Sequence, residues 1–498
     1  MYSAIIIDGY VDEPSCLGVP PFISPYVRYI YGLLKTSNKI GKIKYITIDE
    51  LRKVAEYNKT LLVEYNLVIV FTGLVVPGKY LNAKPITLKE LKSFKKTSGR
   101  QIFILCGPIW LGYQYSGGKQ AIKYELSEFD FIIKGYAEAG IKDFLETGKI
   151  KDKIYERDYE DIARFSLSGA KLVTEHYLYP YVICEIETAQ GCPRKENCSF
   201  CIEGLFKRVM YRAEDDIINE INELYKNGIR YFRIGNQTDI FSYKFSEEPA
   251  SEKLEYIFKK IWQKSPDIKV LHTDNANPSV IANYKKSIDI IKILVNYTTS
   301  GNSLPLGLET ADKEVIRLNN LNSNVNDTFK SIELINKYGN YRGENGMPQL
   351  LPAVNFIYGL LGENRETWEK NYLFLQRILE SGLLLRRINL RQVMIFPQTK
   401  ISKYINIKKI KKFKNNFLYW KEKIREEIDR PMLKKVVPLN TVLKEVKIEC
   451  YENNLSFGRQ LGSYPLLIGI KEKLEINKFY DVKIIDYGYR SITGEVCK

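Results

Sequence analysis

The sequence predicts an α/β protein with an N-terminal Rossmann-like parallel sheet, a central partial (β/α)6 barrel and a small C-terminal β-barrel. Three observations predict it. Apolar strand-like runs alternate with helix-spaced segments over the first 150 residues, and six more strand-helix units follow between about 180 and 395. Beyond residue 440 short strands succeed one another with no helix between them. At 498 residues the chain exceeds one compact core. It divides into 1–150, 165–400, a Lys-rich helical linker over 401–440, and 441–498.

In the first part, runs at 3–8, 44–48, 67–72, 101–106 and 129–134 predict buried strands. Segments 26–34, 48–57, 87–95 and 120–126 carry helical spacing. Ligands of such sheets sit outside the carboxyl ends of the strands, where Gly9, Cys16, Thr72, Gly73, Cys106 and Gly107 fall. No glycine-rich dinucleotide or Walker pattern follows any of these strands. A polar connector over 149–164 leads to strands at 182–188, 231–235, 270–273, 304–308, 353–358 and 388–393, with helices such as 214–226 and 331–338 between them. A barrel of this kind does its chemistry at the C-terminal ends of its strands. Segment 400–435 is Lys-rich and helical, and strands at 445–449, 481–485 and 491–496 end the chain.

A composition of 45% hydrophobic and 27% charged residues excludes disorder, collagen and disulfide scaffolds. No apolar run approaches the ~20 residues of a membrane span, and the run at 4–7 meets Asp8 too soon for a signal peptide. Eight cysteines, three of them between Cys192 and Cys201, suggest metal and a reducing compartment, so the cytoplasm is expected. Seventy-five Lys and Arg against 59 Asp and Glu leave a net charge of +16, which favours polyanions, nucleic acid first. A charged thermophile surface is the alternative source of that balance. With only His176 and His272, mechanisms that need imidazole clusters are excluded.

Directly after the first barrel strand the chain carries Cys192, Cys198 and Cys201. Three thiolates on one loop can bind three irons of a [4Fe–4S] cluster and leave the fourth open. Zinc would require a fourth ligand, for which Cys184 is the candidate. This segment resembles the three-cysteine motif of the radical S-adenosylmethionine (SAM) superfamily over roughly 183–397, with C-x5-C-x2-C in place of the commoner x3 spacing. The resemblance implies that the cluster holds SAM and cleaves it to a 5′-deoxyadenosyl radical, fed by a donor such as ferredoxin or flavodoxin. Cys192, Cys198, Cys201 and Glu309 are then the expected catalytic residues. Phe200 is expected against the adenine, Asn236 and Gln237 at the ribose, Glu203 in a degenerate Gly-Gly-Glu segment, and Glu309 at the cofactor or substrate. Asp274 and Asn275 are further candidates at the barrel mouth. His272 fits a packed strand residue better than a base. Arg386, Arg387 and Arg391 meet a phosphate or carboxylate, or form an exposed face.

The N-terminal sheet resembles the cobalamin-binding domain of radical SAM methyltransferases, without the motif that supplies an axial histidine. It also resembles the methylthiotransferase domain that holds a second Fe–S cluster, with Cys16 and Cys106 at two of three positions and Cys184 as a possible third. A scaffold that only shields the barrel is the plain alternative. The last part resembles a TRAM domain, an RNA-binding β-barrel, with Arg459, Tyr464 and Arg490 as RNA contacts and Tyr487 and Tyr489 as further stacking faces. Lys408, Lys409, Lys411, Lys412 and Lys414 add a basic stripe or a solvated helix face. Together the resemblances imply methyl or methylthio transfer to an unactivated carbon of RNA, with tRNA the expected kind and no membrane partner. The competing readings are a protein or peptide methylase and a non-catalytic, cluster-stabilised RNA-binding protein.

Overall fold

The computed structural model describes residues 1–13, 16–53, 58–73, 81, 83–94, 99–113, 117–206, 209–246 and 249–497. The first part contains β1 (Tyr2–Asp8), β2 (Phe22–Ile23), β3 (Ile40–Thr47), β4 (Leu67–Phe71), β5 (Ile102–Cys106) and β6 (Phe131–Ile132). All except β2 form one parallel sheet in the order β3-β1-β4-β5-β6. Ile6, Ile69 and Ile104 pack on one face and Ile5, Val68 and Phe103 on the other, so both faces are buried as a parallel sheet requires. The order reverses beside β1, which places a ligand crevice at the carboxyl ends of the strands.

Six strands form the barrel: β7 (Ile183–Glu187), β8 (Tyr231–Gly235), β9 (Val270–Thr273), β10 (Asn302–Glu309), β11 (Leu350–Tyr358) and β12 (Arg387–Gln392). They pair as β9-β8-β7-β2 and β10-β11-β12, and a parallel bridge from Ala276 to Leu306 links the halves. Helices between 407 and 436 follow, much as the Lys-rich segment predicts. The chain then closes a five-stranded barrel from β13 (Val442–Glu452), β14 (Leu455–Gln460), β15 (Leu467–Ile470), β16 (Phe479–Tyr487) and β17 (Ser491–Val496), in the order β13-β14-β15-β17-β16.

The structure departs from two expectations and adds two contacts. Segment 120–126 is not a helix. Lys119–Gln120 instead pairs in parallel with Met394–Ile395, and a Cβ at Gly117 would stand 2.3 Å from the Gln392 carbonyl oxygen. Seven residues have too little helical stability of their own to resist that pairing. The polar connector at 149–164 is anchored to the fold, because Ile154–Tyr155 pairs with Lys134–Gly135 and Arg157 is buried. The boundary near 150 does not separate two sheets, since β2 pairs with β7. Helix α1 (Pro25–Thr36) crosses α2 (Tyr159–Gly169) where a Cβ at Gly32 would stand 1.9 Å from the Phe165 carbonyl oxygen. The helix predicted over 48–57 is observed as Ile48–Lys53, and residues 54–57 lie outside the described residues. Lys95, the end of the helix predicted over 87–95, lies outside them too.

The C-terminal barrel is packed against the six-stranded one. Leu461 and Phe479 pack on Ile183, Tyr231 and Val270, the inward residues at the lower end of the six-stranded barrel. Tyr464 continues into its interior.

Candidate active site

Alternation along β7 sends Cys184 and Ile186 toward the helices and Glu185 and Glu187 into the barrel. The cysteine loop starts at Gly191, whose φ of 79° turns the chain away from the strand. Its base is clamped by antiparallel pairing of Ala189–Gln190 with Met210–Tyr211. Its far side is tied to the turn after the helix Lys313–Leu318. Ser199 N–H donates to the Asn319 carbonyl at 2.9 Å, and Arg194 Nη1 donates to the Asn320 carbonyl at 2.8 Å and to Cys198 Sγ at 3.1 Å.

The three thiols are half-buried neighbours. Burial pushes Cys198 up to about 11 and Cys201 well above the ordinary thiol value, and the other loop cysteines add to the rise in each. Among the described residues no three Cys, His, Asp or Glu side chains already converge to metal-ligand spacing, these thiols included. The donor set, three thiols on one anchored loop, fits a cluster with one open iron. The surroundings fit a bound cofactor rich in hydrogen-bond donors. Glu187 Oε1, Gln190 Oε1, Asn197 Oδ1 and Glu309 Oε2 are buried acceptors with no donor, an arrangement that costs free energy until ammonium or hydroxyl groups fill it.

A cleft enclosing about 690 Å³ of atom-free space, partly open to solvent, lies between this loop and the first sheet. Phe71, Gly107 and Gly135 line it from the strand ends, and Glu187, Gln190, Glu203, Asn236 and Gln237 line it from the barrel. Its wall is a buried charged network. Arg157 pairs with Glu138 and Glu187 and stacks 4.1 Å from the Tyr136 ring centroid. The Tyr26 hydroxyl lies 2.7 Å from Glu13 Oε1 and 3.0 Å from Asn236 Oδ1. Burial raises Glu13 to about 7, and burial with the Glu187 charge raises Glu203 to about 7. Glu13, Tyr26, Glu138 and Arg157 were not legible as site residues, because they come from separate segments with no shared motif. Glu187 had a signal in its place just before the cysteine loop.

The predicted residues occupy different places in the structure. Asn236, Gln237 and Glu203 line the cleft. Asn236 is held at φ 52° and donates to Glu187 Oε2 at 2.5 Å. The Gln237 amide is consumed by the fold, since Nε2 donates to the Ile234 and Asp274 carbonyls and Oε1 accepts from the Thr188 hydroxyl. Phe200 does not line the cleft and packs with Val315, Leu360 and Ile401 beneath the loop. Glu309 ends β10 at φ 66° after a register shift, also outside the cleft. Burial raises its carboxyl to about 8 against the opposing Arg391 charge. Cys16, Cys106 and Cys184 are fully buried, with Cys106 Sγ set 3.6 Å from the Val70 carbonyl oxygen.

Several expectations are corrected by partners distant in sequence. Asp274 does not face the mouth, because it pairs with Arg233, which also pairs with Glu185. Tyr464 offers no face to a base. It is 9% exposed, and its hydroxyl donates to Asp274 Oδ1 at 3.1 Å. Arg459 is held by Glu449 through two bonds of 2.8 and 2.6 Å. Tyr487 is buried and its hydroxyl donates to the Val437 carbonyl, so it too presents no stacking face. Arg490 remains exposed. His272 is a packed strand residue, with Nδ1 accepting from Ser463 N–H at 2.9 Å and burial lowering its pKa to about 4.

A cysteine loop at the end of a parallel barrel's first strand defines a radical SAM protein, and residues 186–375 match the radical SAM superfamily. The chain belongs to that superfamily. Along 99% of its length it is 46% identical to the uncharacterized protein MJ0274 of Methanocaldococcus jannaschii, covering 93% of that protein. Over 38% of its length it is 27% identical to a tRNA-2-methylthio-N(6)-dimethylallyladenosine synthase of Buchnera aphidicola, covering 40% of that enzyme. The fold is shared with the radical SAM methyltransferase TsrM of Kitasatospora setae. Its structure with tryptophan substrate and a SAM analogue gives a TM-score of 0.53 at 14% identity, over 80% of this chain and 75% of that one. Its structure with cobalamin and a [4Fe–4S] cluster gives 0.52 at 13% identity, over 80% and 74%. The superfamily implies a [4Fe–4S] cluster and SAM.

Proposed function

We propose that this enzyme is a cobalamin-dependent radical SAM methyltransferase that methylates an unactivated carbon of RNA, with tRNA the first candidate, in the cytoplasm. The observation that carries the reading is the cleft, which sets the strand ends of the Rossmann-like sheet opposite the cysteine loop. The cobalamin-bound TsrM structure of the same fold supports the choice. Methyl transfer is favoured over methylthio transfer because the strand end at Thr72 and Gly73 carries no cysteine to complete a ligand set with Cys16 and Cys106. RNA is favoured by the net charge of +16.

When bound, the cluster would supply an electron to SAM and cobalamin would supply the methyl group. This chain's residues do the rest. Cys192, Cys198 and Cys201 would hold the iron, and the unpartnered acceptors of Glu187, Gln190 and Glu309 would bind donor groups of SAM. No histidine lines the cleft among the described residues, so a corrin there would be held by the carboxylate, amide and aromatic side chains of the wall. The buried, ion-paired Arg157 and the aromatic rings around it would exclude water from the reacting region.

The test is iron and cobalt analysis of anaerobically reconstituted protein, followed by reduction with SAM. About four irons, stoichiometric corrin and formation of 5′-deoxyadenosine are expected. About eight irons without corrin would replace methylation with sulfur insertion, and absence of 5′-deoxyadenosine would remove the enzymatic reading.

A further inference from the structure

Strand β12 carries Arg387 and Arg391 on one inward-facing side, with Arg386 just before the strand. Arg386 Nη2 donates to the Tyr464 carbonyl, and the Arg387 guanidinium stacks 4.8 Å from the Tyr464 ring centroid. Arg425, in the helical region after the barrel, donates to the Ile388 carbonyl at 3.0 Å and so joins the same strand. Arg490, from the turn between β16 and β17, lies within electrostatic reach of Arg386, Arg387, Arg391 and Arg425. Lys421 feels both Arg425 and Arg490. Three parts of the chain therefore bring six cations together, and the inner end of the row reaches Glu309.

Their charge is only partly matched by the protein, through Asp429 and Glu309. Among the described residues no carboxylate stands within ion-pair distance of Arg386, Arg387, Arg391 or Arg490, and the nearby Asp429 is already paired with Arg425. The buried Nε atoms of Arg386 and Arg387 have no acceptor. Burial and the neighbouring arginines push Arg387 down to about 10. Half-buried guanidinium groups without a direct ion pair, as at Arg386, Arg387 and Arg391, are costly unless an anion joins them. Their planar forks suit tetrahedral oxyanions, and four guanidinium groups without a direct ion pair call for more than one carboxylate.

We propose that Arg386, Arg387, Arg391 and Arg490 form a phosphate-recognition site that anchors the substrate at the seam between the two barrels. Its place beside Glu309 rests on the reading of the reaction centre given above, but its ligand chemistry does not. RNA and a phosphorylated small molecule both present this chemistry, and the test separates them.

Reconstituted full-length protein without SAM is titrated with inorganic pyrophosphate in a calorimeter. Saturable binding is expected. Arg387→Gln should weaken it on the order of tenfold or more, and Arg387→Lys should restore it only in part. Arg490→Gln, at an exposed position, repeats the test should the Arg387 variants not fold. Lys44→Gln, which removes one exposed charge elsewhere, should leave the affinity unchanged. If tRNA displaces pyrophosphate and Arg490→Gln reduces its affinity, the phosphate belongs to RNA. If pyrophosphate binds but tRNA neither competes nor responds to the variants, the substrate is a phosphorylated small molecule. Absence of saturable pyrophosphate binding, or equal weakening by Lys44→Gln, overturns the site. Failure of the enzymatic reading would show separately, as wild-type protein that makes no 5′-deoxyadenosine.

Discussion

The Tyr464 hydroxyl donates to Asp274 Oδ1, 190 residues away in sequence, so the C-terminal barrel reaches the charged interior of the SAM barrel. Arg233 joins the pair by bridging Asp274 and Glu185. Removing only the hydroxyl, in Tyr464→Phe, leaves Asp274 one donor short and should cost about 1–3 kcal/mol of stability. Denaturant unfolding measures the loss. RNA affinity of the folded variant should not change, and a drop would return Tyr464 to the RNA-binding surface.

Gly462 lies against His272, where a Cβ would stand 2.8 Å from Cε1. His272 is itself fixed by Ser463 N–H, so it has little room to yield. Gly462→Ala should therefore lower stability by about 1–3 kcal/mol through overpacking. Thermal unfolding of the variant beside Gly469→Ala, whose nearest neighbour is Phe457 at 3.5 Å, checks the difference.

Arg157 is enclosed between Glu138 and Glu187. Arg157→Met would leave two buried carboxylates without a cation, at about 3–5 kcal/mol. Lysine should rescue little, since one ammonium cannot reproduce a fork that serves two acceptors. Equal stability of Arg157→Lys and the parent chain would show that this network contributes charge alone.

Burial raises the Glu309 carboxyl from 4.5 to about 8, with the Arg391 charge opposing it. The folded chain then keeps a proton that the unfolded chain releases near 4.5. Its contribution to stability is complete below 4.5 and is lost as pH rises toward about 8, at about tenfold in the folded ratio per pH unit. Glu13, Glu185 and Glu203 shift the same way and remain in the variant, so the comparison isolates one group. Unfolding of cluster-free Glu309→Gln and parent chains between pH 5 and 8 should show a shallower slope in the variant. Identical slopes would place Glu309 in solvent.

Cys192→Ala leaves two loop thiols. Iron content should fall to background and 5′-deoxyadenosine formation should stop. Continued cleavage of SAM would move the cluster elsewhere in the chain.

Strands dominated by apolar runs were legible in the sequence, and so was the cysteine loop, because spacing alone puts three thiols on one turn. β8 and β9 fall at the predicted residues. What escaped depends on distant partners. Phe22 and Ile23 are too short a strand to show a period, and only pairing with Ile183 and Cys184 makes them one. Gly462-Ser463-Tyr464-Pro465 reads as an exposed aromatic turn until His272 and Asp274 are placed beneath it. The same holds for Arg459, whose freedom ends at Glu449 on the adjacent strand. The arginines of β12 were visible, but whether they face water or one another was decided by Arg425 and Arg490, which arrive from later in the chain.

The two-residue strand at Phe22 and Ile23 also limits how the enzyme can open. It stitches the Rossmann-like part into the barrel sheet, and Arg28, six residues after Phe22, donates to the Glu185 carbonyl and pairs with Glu220. A hinge that swung the two parts apart like a clamshell would have to tear both fastenings. The two parts are therefore fixed at this seam, and the cleft between them has jambs that do not part there.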